Sequence, residues 1–206
     1  MTPLETQQAR LNKIVAQLTY PVAIVLEGRD SAGKSGTIRE VTHYLPTDLF
    51  SVCLSTMPSK RTMKNWLPFW SRKLPTRPML TYFNRPQFSR AAVKPLNGWC
   101  TDKQYHGFMK RVGAWEDSKD VCFIKFWLSI SEDEQARRLG ERETSPLKSW
   151  KMSPNDRRAL STFDQMTILK ERVLSRGGWH SIDYNNKSQG RLDLITKLCS
   201  ALEGGS

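Results

Sequence analysis

The sequence predicts an α/β protein: a parallel five-stranded sheet with helices on both faces, in one domain covering residues 1–206. Two observations carry the prediction. Short apolar runs alternate with helical patterns along the whole chain, which is the signature of right-handed βαβ units. The first of these runs, Val22–Leu26, leads directly into Gly28-Arg29-Asp30-Ser31-Ala32-Gly33-Lys34-Ser35, the spacing G-x-x-x-x-G-K-S of a phosphate-binding loop.

In chain order, Met1–Gln17 is polar with a weak helical stripe through Leu4, Leu11, Ile14 and Val15. After the first strand and the loop, Thr37, Ile38, Val41 and Leu45 recur at helical spacing. Leu49–Leu54 reads as a second strand, followed by a basic helix or loop over Lys60–Lys73 that Pro68 is expected to break or kink. Pro78–Phe83 is the third strand, and Val121–Ile130, the most apolar run, is the fourth. Glu132–Arg142 is a charged helix and Trp179–Tyr184 the fifth strand. Arg191–Leu202 closes the chain with the stripe Leu192, Ile195 and Leu198. Ligands on such sheets bind at the carboxyl ends of the strands. The phosphate loop, Met57–Lys64, Asn84–Arg90 and the segment after Ile130 should gather there.

Composition is that of a globular chain, with 38% hydrophobic and 25% charged residues. No apolar run is long enough to span a bilayer, and the N-terminus lacks the apolar core of a signal peptide. A cytoplasmic location is therefore expected, the host cytoplasm if the chain is viral. Cys53, Cys100, Cys122 and Cys199 lack metal-ligand spacing and are expected reduced. The formal net charge of +12 predicts a polyanionic partner, because clustered cations gain by releasing condensed counterions. Polyphosphate, DNA and RNA all meet that requirement.

The chemistry concentrates in the loop. Its glycines let backbone N–H groups face a phosphate, and the following helix aims its positive dipole end there. Lys34 can reach terminal phosphates, and Ser35 can offer its hydroxyl to Mg²⁺. Asp30, a carboxylate among phosphates, is suited to holding Mg²⁺ or positioning the attacking group. Cations recur where loops should converge: Lys60, Arg61 and Lys64; Arg85 and Arg90; Arg137, Arg138 and Arg142; Lys148, Lys151, Arg157 and Arg158. Residues of about 140–158 have the composition of a basic lid. The three histidines are scattered, and Trp66, Trp70, Trp99 and Trp115 are assigned to packing.

Several segments together resemble the family-2 polyphosphate kinases. Glu27-Gly28-Arg29-Asp30-Ser31-Ala32-Gly33-Lys34-Ser35-Gly36-Thr37-Ile38 resembles their opening motif, and Phe83-Asn84-Arg85-Pro86 through Phe88-Ser89-Arg90-Ala91-Ala92-Val93 their F-D-R-S-W-Y-N-R-A-G-V-E segment. Ile124–Trp127 with Glu134–Arg138 is similar to the strand and helix before their lid. Ser145-Pro146-Leu147-Lys148-Ser149-Trp150-Lys151-Met152-Ser153-Pro154-Asn155-Asp156 is similar to the lid motif itself. The resemblance runs over roughly Pro21 to Leu202 and implies a P-loop kinase fold that moves phosphate between polyphosphate and nucleoside phosphates with Mg²⁺. By position it makes Asp30, Lys34 and Arg85 catalytic. Phosphate or nucleotide would lie on Gly28, Arg29, Ser31, Ala32, Gly33, Lys34, Ser35 and Gly36, and on Arg90, Arg138, Lys148 and Lys151. Asp30 and Ser35 would take the metal. The family's enzymes often form oligomers, so a homo-oligomer is admitted.

The chain departs from the pattern at Asn84, where the family has Asp, and at Lys94, where it has Glu. Ser35 stands where the family commonly has Gly. Three readings stay open. The chain is a polyphosphate kinase of the family type, with ATP or polyphosphate as donor. Alternatively it is a bacteriophage-type kinase that transfers the ATP γ-phosphate to hydroxymethyluracil in DNA, with the base flipped out. The third is a relative that binds nucleotide or polyphosphate without catalysis.

Overall fold

The computed structural model describes residues 1–55, 59–147, 149–152 and 154–204, with the backbone alone at positions 60, 151, 154 and 155. In chain order the elements are α1 (Pro3–Ala16), β1 (Pro21–Gly28), α2 (Lys34–Val41), β2 (Phe50–Leu54), α3 (Lys60–Lys64), α4 (Trp66–Ser71), β3 (Met79–Asn84), α5 (Val93–Leu96) and α6 (Asp102–Asp117). There follow β4 (Cys122–Ser129), α7 (Glu132–Thr144), α8 (Pro154–Arg158), α9 (Phe163–Leu174), β5 (Trp179–Asp183) and α10 (Lys187–Gly204).

The five strands form one parallel sheet in the order β2-β3-β1-β4-β5. β1 is central and buried on both faces, as its continuous apolar run requires. Its even-numbered residues Val22, Ile24 and Leu26 pack with Phe126, Leu128 and Ile182 under α1, α2 and α10. The alternate residues Ala23 and Val25 face Trp66, Trp70, Phe83, Phe108, Trp127 and Val173 under α4, α6 and α9. Helices thus cover both faces, as predicted.

Local chemistry accounts for the helix starts. Thr2 caps α1 in a reciprocal box with Glu5, with Pro3 at the first helical position. Thr101 and Gln104 do the same for α6, and Ser131 caps α7. The expected break at Pro68 falls instead at Asn65, between α3 and α4. Pro68 then sits in the first turn of α4, where its missing N–H has no intrahelical acceptor to lose.

β1 lies where the chain order reverses, with β3 on one side and β4 on the other. The crevice beyond its carboxyl end is where a ligand belongs. The phosphate loop leaves β1 at that point, and Asn84 and Arg85 leave β3 beside it, Leu26 pairing with Asn84 in register.

Candidate active site

Backbone conformation shapes the loop first. Gly28 has φ +142°, and a Cβ there would stand 2.5 Å from the carbonyl oxygen of Leu128, so no larger residue fits. Gly33, at φ +113°, starts α2. Ser31 lies between them at φ 62°, a left-handed conformation that costs a non-glycine residue about 1 kcal/mol. Lys34 folds back into the loop's hollow, where its Nζ donates to the carbonyls of Gly28 and Arg29, each at 2.8 Å. Burial and the neighbouring Arg85 push this amine down to about 7, although Asp30 and Glu27 pull the other way.

Asp30 is the second feature. Arg85 Nη2 donates to its Oδ1 at 2.6 Å, both side chains being largely buried. Burial alone would raise the Asp30 carboxyl; Arg85 and Lys34 outweigh it and hold the group below the ordinary carboxylate range. Arg85 reaches this position through its own left-handed backbone (φ 59°), with its N–H on the Leu26 carbonyl at 3.0 Å. Asn84 Nδ2 donates to Ser35 Oγ at 3.0 Å. A cavity of about 430 Å³ opens over Asp30, Lys34, Ser35, Asn84, Arg85 and Arg142. A second, of about 540 Å³, adjoins it at the loop and is walled by Arg39, Arg138, Arg142, Lys187 and Arg191. Arg142 bonds Asp156 Oδ1 at 2.6 Å and thereby ties α8 to α7.

The residues predicted for the site separate in the fold. Asp30, Ser31, Gly33, Lys34, Ser35, Gly36 and Arg85 line one cavity, while Gly28 and Ala32 complete the loop from within. Arg29 points elsewhere: its guanidinium lies 3.4 Å over the Phe163 ring and donates to the Phe163 carbonyl and Thr167 Oγ1. Arg90 is buried, donates to the Met63 carbonyl at 2.8 Å and lies 5.3 Å over Trp66. Arg138 spends its donors on backbone carbonyls and Glu134. Lys148 and the side chain of Lys151 lie outside the described residues.

Glu27 escaped the sequence reading. It is fully buried at the end of β1, and neither carboxylate oxygen has a hydrogen-bond partner among the described residues. Burial pushes its carboxyl up to about 7, against the pull of Arg85, Lys34 and Lys94. A lone acid in an otherwise apolar strand was the available signal. Lys94 is itself buried between Trp66 (4.7 Å) and Trp99 (5.6 Å). It is pushed down to about 8 by burial and Arg90.

The oxygen donors fit a small hard dication in kind. Mg²⁺ takes one or two carboxylates and completes its octahedron with water and substrate phosphates. Asp30 and Ser35 present a carboxylate and a hydroxyl to one cavity. Among the described residues there is no group of three or more His, Cys, Asp or Glu that could hold a metal ion unaided.

The profile described as polyphosphate kinase 2 (PPK2) matches residues 2–206. The chain belongs to the polyphosphate kinase 2 family. Among its relatives is ADP-polyphosphate phosphotransferase 1 of Rhizobium meliloti, 33% identical over 98% of this chain and 71% of the relative. NDP-polyphosphate phosphotransferase 1 of Ruegeria pomeroyi is 30% identical over 97% of this chain and 68% of the relative. A crystal structure of a polyphosphate kinase 2 from Pseudomonas aeruginosa superposes with a TM-score of 0.91 at 26% identity. It covers 98% of this chain and 46% of that one. The chain spans 58–71% of the length of eight curated relatives that it matches. The fold is the P-loop kinase fold expected from the sequence.

Proposed function

We propose that this chain transfers a phosphoryl group between inorganic polyphosphate and a nucleoside phosphate. The observation that carries this reading is Asp30 held ionised by Arg85 beside Lys34, at the mouth of a cavity lined by the phosphate loop. Membership of the family and the names of the relatives support it.

A terminal phosphate oxygen of the nucleotide attacks the end phosphorus of the polyphosphate. The bridging P–O bond breaks, and its electron pair leaves with a polyphosphate one unit shorter. In the reverse direction the same bonds exchange roles. An anionic phosphate oxygen needs no base to become a nucleophile, whereas an alcohol acceptor does. A carboxylate kept below its ordinary range is a weak base, so Asp30 suits a phosphate acceptor better than the hydroxymethyl group of a modified DNA base. One part of its work here is to orient Arg85. Arg85, Lys34 and Arg142 gather charge over the equatorial oxygens of the transferring group.

Asp30 and Ser35 are the residues that would hold Mg²⁺, with the Asn84 amide orienting the Ser35 hydroxyl. The ion supplies charge neutralisation between phosphates when bound. The Arg142–Asp156 pair ties α8 to the end of α7 within the segment of residues 140–158, which we assign as the lid. A cytoplasmic location accords with four free cysteines and with the supply of nucleotides there. Among the described residues no helix is long and apolar enough to cross a membrane.

The test offers polyphosphate with nucleoside mono- and diphosphates, and separately γ-labelled ATP with polyphosphate, plain DNA and hydroxymethyluracil DNA. Transfer to or from polyphosphate is expected, with no label on DNA. Label on DNA alone overturns the proposal, and nucleotide binding without any transfer assigns the chain to a non-catalytic relative.

A further inference from the structure

We infer that Gln135 and Arg138, one face of α7, are positioning residues that hold the phosphate loop in its anion-binding shape. The inference rests on the loop being the phosphate site proposed above. Gln135 Nε2 donates to the Asp30 carbonyl at 3.1 Å. Arg138 Nη1 donates to the Ser31 carbonyl at 3.2 Å and the Ala32 carbonyl at 3.0 Å. Three consecutive loop carbonyls are therefore held from outside by two side chains three residues apart, neighbours on a helix surface.

In a trans peptide the C=O and the next N–H point in opposite directions. Fixing the carbonyls of residues 30, 31 and 32 outward turns the N–H groups of Ser31, Ala32 and Gly33 toward the hollow. The Ala32 N–H accordingly meets the inward carbonyl of Arg29 at 3.3 Å, the same oxygen that takes Lys34 Nζ. Successive inward N–H groups are what make an anion nest.

Arg138 is fully committed to holding the protein's own groups. Its Nη2 donates to the carbonyls of Tyr184 and Asn185 beyond β5, and its Nε to Glu134, so all five N–H donors are spent on protein acceptors. It is 4% exposed, with no donor left for a substrate. Gln135 is 1% exposed. The clamp also explains how Ser31 holds a left-handed conformation without being glycine. Two of its flanking peptides are fixed from outside.

The test compares Arg138→Ala with wild type and with Arg137→Ala, which removes from the same helix an exposed guanidinium that, among the described residues, bonds Glu134 and Glu141. Titration of inorganic tripolyphosphate should show affinity falling about 100-fold in Arg138→Ala and staying unchanged in Arg137→Ala. In ligand-free protein, amide exchange at Ser31, Ala32 and Gly33 should quicken about tenfold or more while β1 and β3 keep their protection. Added guanidinium ion should restore part of the tripolyphosphate affinity to Arg138→Ala, and sodium at equal ionic strength should not. Wild-type affinity and wild-type loop exchange in folded Arg138→Ala overturn the inference. If that variant does not fold, Gln135→Met decides: it frees only the Asp30 carbonyl, and should quicken exchange at Ser31 and weaken tripolyphosphate about tenfold, no change being the refutation. Wild-type protein that binds tripolyphosphate yet transfers nothing would defeat the functional reading alone, because the exchange comparison needs no turnover.

Discussion

Two cation-rich regions flank the carboxyl end of the sheet, and they use the same residue types in opposite ways. Around the phosphate loop, Lys34, Arg85 and Arg142 border open cavities and meet carboxylates or loop carbonyls that a phosphate can displace or share. At the wall made by Trp66, Arg90, Lys94 and Trp99, the cations lie against indole faces, and Arg90 is tied to the Met63 carbonyl. Neither Arg90 nor Lys94 borders the two cavities at the loop. Charge alone marks both regions in the sequence. What separates them is whether a donor faces space or protein, a property of the fold.

Substitution should split the regions cleanly. Lys34→Ala has the largest expected effect, a loss of about 10³-fold in kcat/KM because the cation facing the transferring phosphate is gone. Its melting temperature should hold or rise, since the ligand-free protein already resists burying this charge. A variant that instead lost stability and kept transfer would place Lys34 with the packing cations. Asp30→Asn comes next, with about 10²-fold lost. The amide cannot anchor Arg85 as a carboxylate does, so steady-state rates over a range of Mg²⁺ should show kcat falling more than KM rises. Retained kcat at saturating Mg²⁺ would remove Asp30 from the reacting region.

Glu27 gives the contrast a pH signature. Its folded pKa, about 7, lies above the ordinary value of 4.5, so the folded state binds more protons in that window. The favourable contribution is complete below about 4.5 and is lost as pH rises toward 7. Lys34 runs the other way: its folded pKa of about 7 lies below 10.5, so the unfolded state holds more protons and stability recovers as pH rises above 7. The pair therefore puts a dip in the stability of the ligand-free protein near neutral pH. Glu27→Gln, which cannot ionise, should melt progressively higher than wild type between pH 5 and pH 7, reaching a few degrees at the upper end. A constant difference across that range would show that the carboxylate titrates normally.

The sheet was readable because β-branched and aromatic runs mark buried parallel strands. Prediction and structure agree on all five within about two residues at each end, β1 being Pro21–Gly28 against Val22–Leu26. Two long helices went unread. In α6 the buried stripe Tyr105, Phe108 and Val112 is diluted by Gly107, Gly113 and many charges. α9 buries only Met166, Leu169 and Val173. Tertiary packing, rather than a strong local pattern, stabilises both. At the site, the loop and Asp30 were legible because their residue types are specified by chemistry. The direction of Arg29, Arg90 and Arg138 was not, because an arginine that braces carbonyls and one that binds phosphate look the same in a sequence. Glu27 could be seen only as a polar residue out of place in an apolar strand, and Gln135 gave no signal because it lies in a charged helix.

Lys94 tests the packing side of the comparison and should show the smallest effect. It stands where the family pattern has a glutamate, and the structure puts its ammonium between two indoles, 3% exposed. The cation gains from the ring faces, but burial and Arg90 push its pKa down, so the desolvation cost is the larger effect. Methionine keeps the length of the chain, removes the charge and offers sulfur to the same rings. Lys94→Met should then leave transfer within about threefold and raise stability by about 1 kcal/mol or leave it level, read as a shift of about 2–4 °C in melting temperature. The balance could be tipped by Glu27, which would lose a nearby cation and become harder still to ionise. That change would deepen the neutral-pH dip without touching the loop. A 10²-fold loss of transfer at unchanged stability would instead make the aromatic wall part of the reacting site, and the contrast between the two regions would fail.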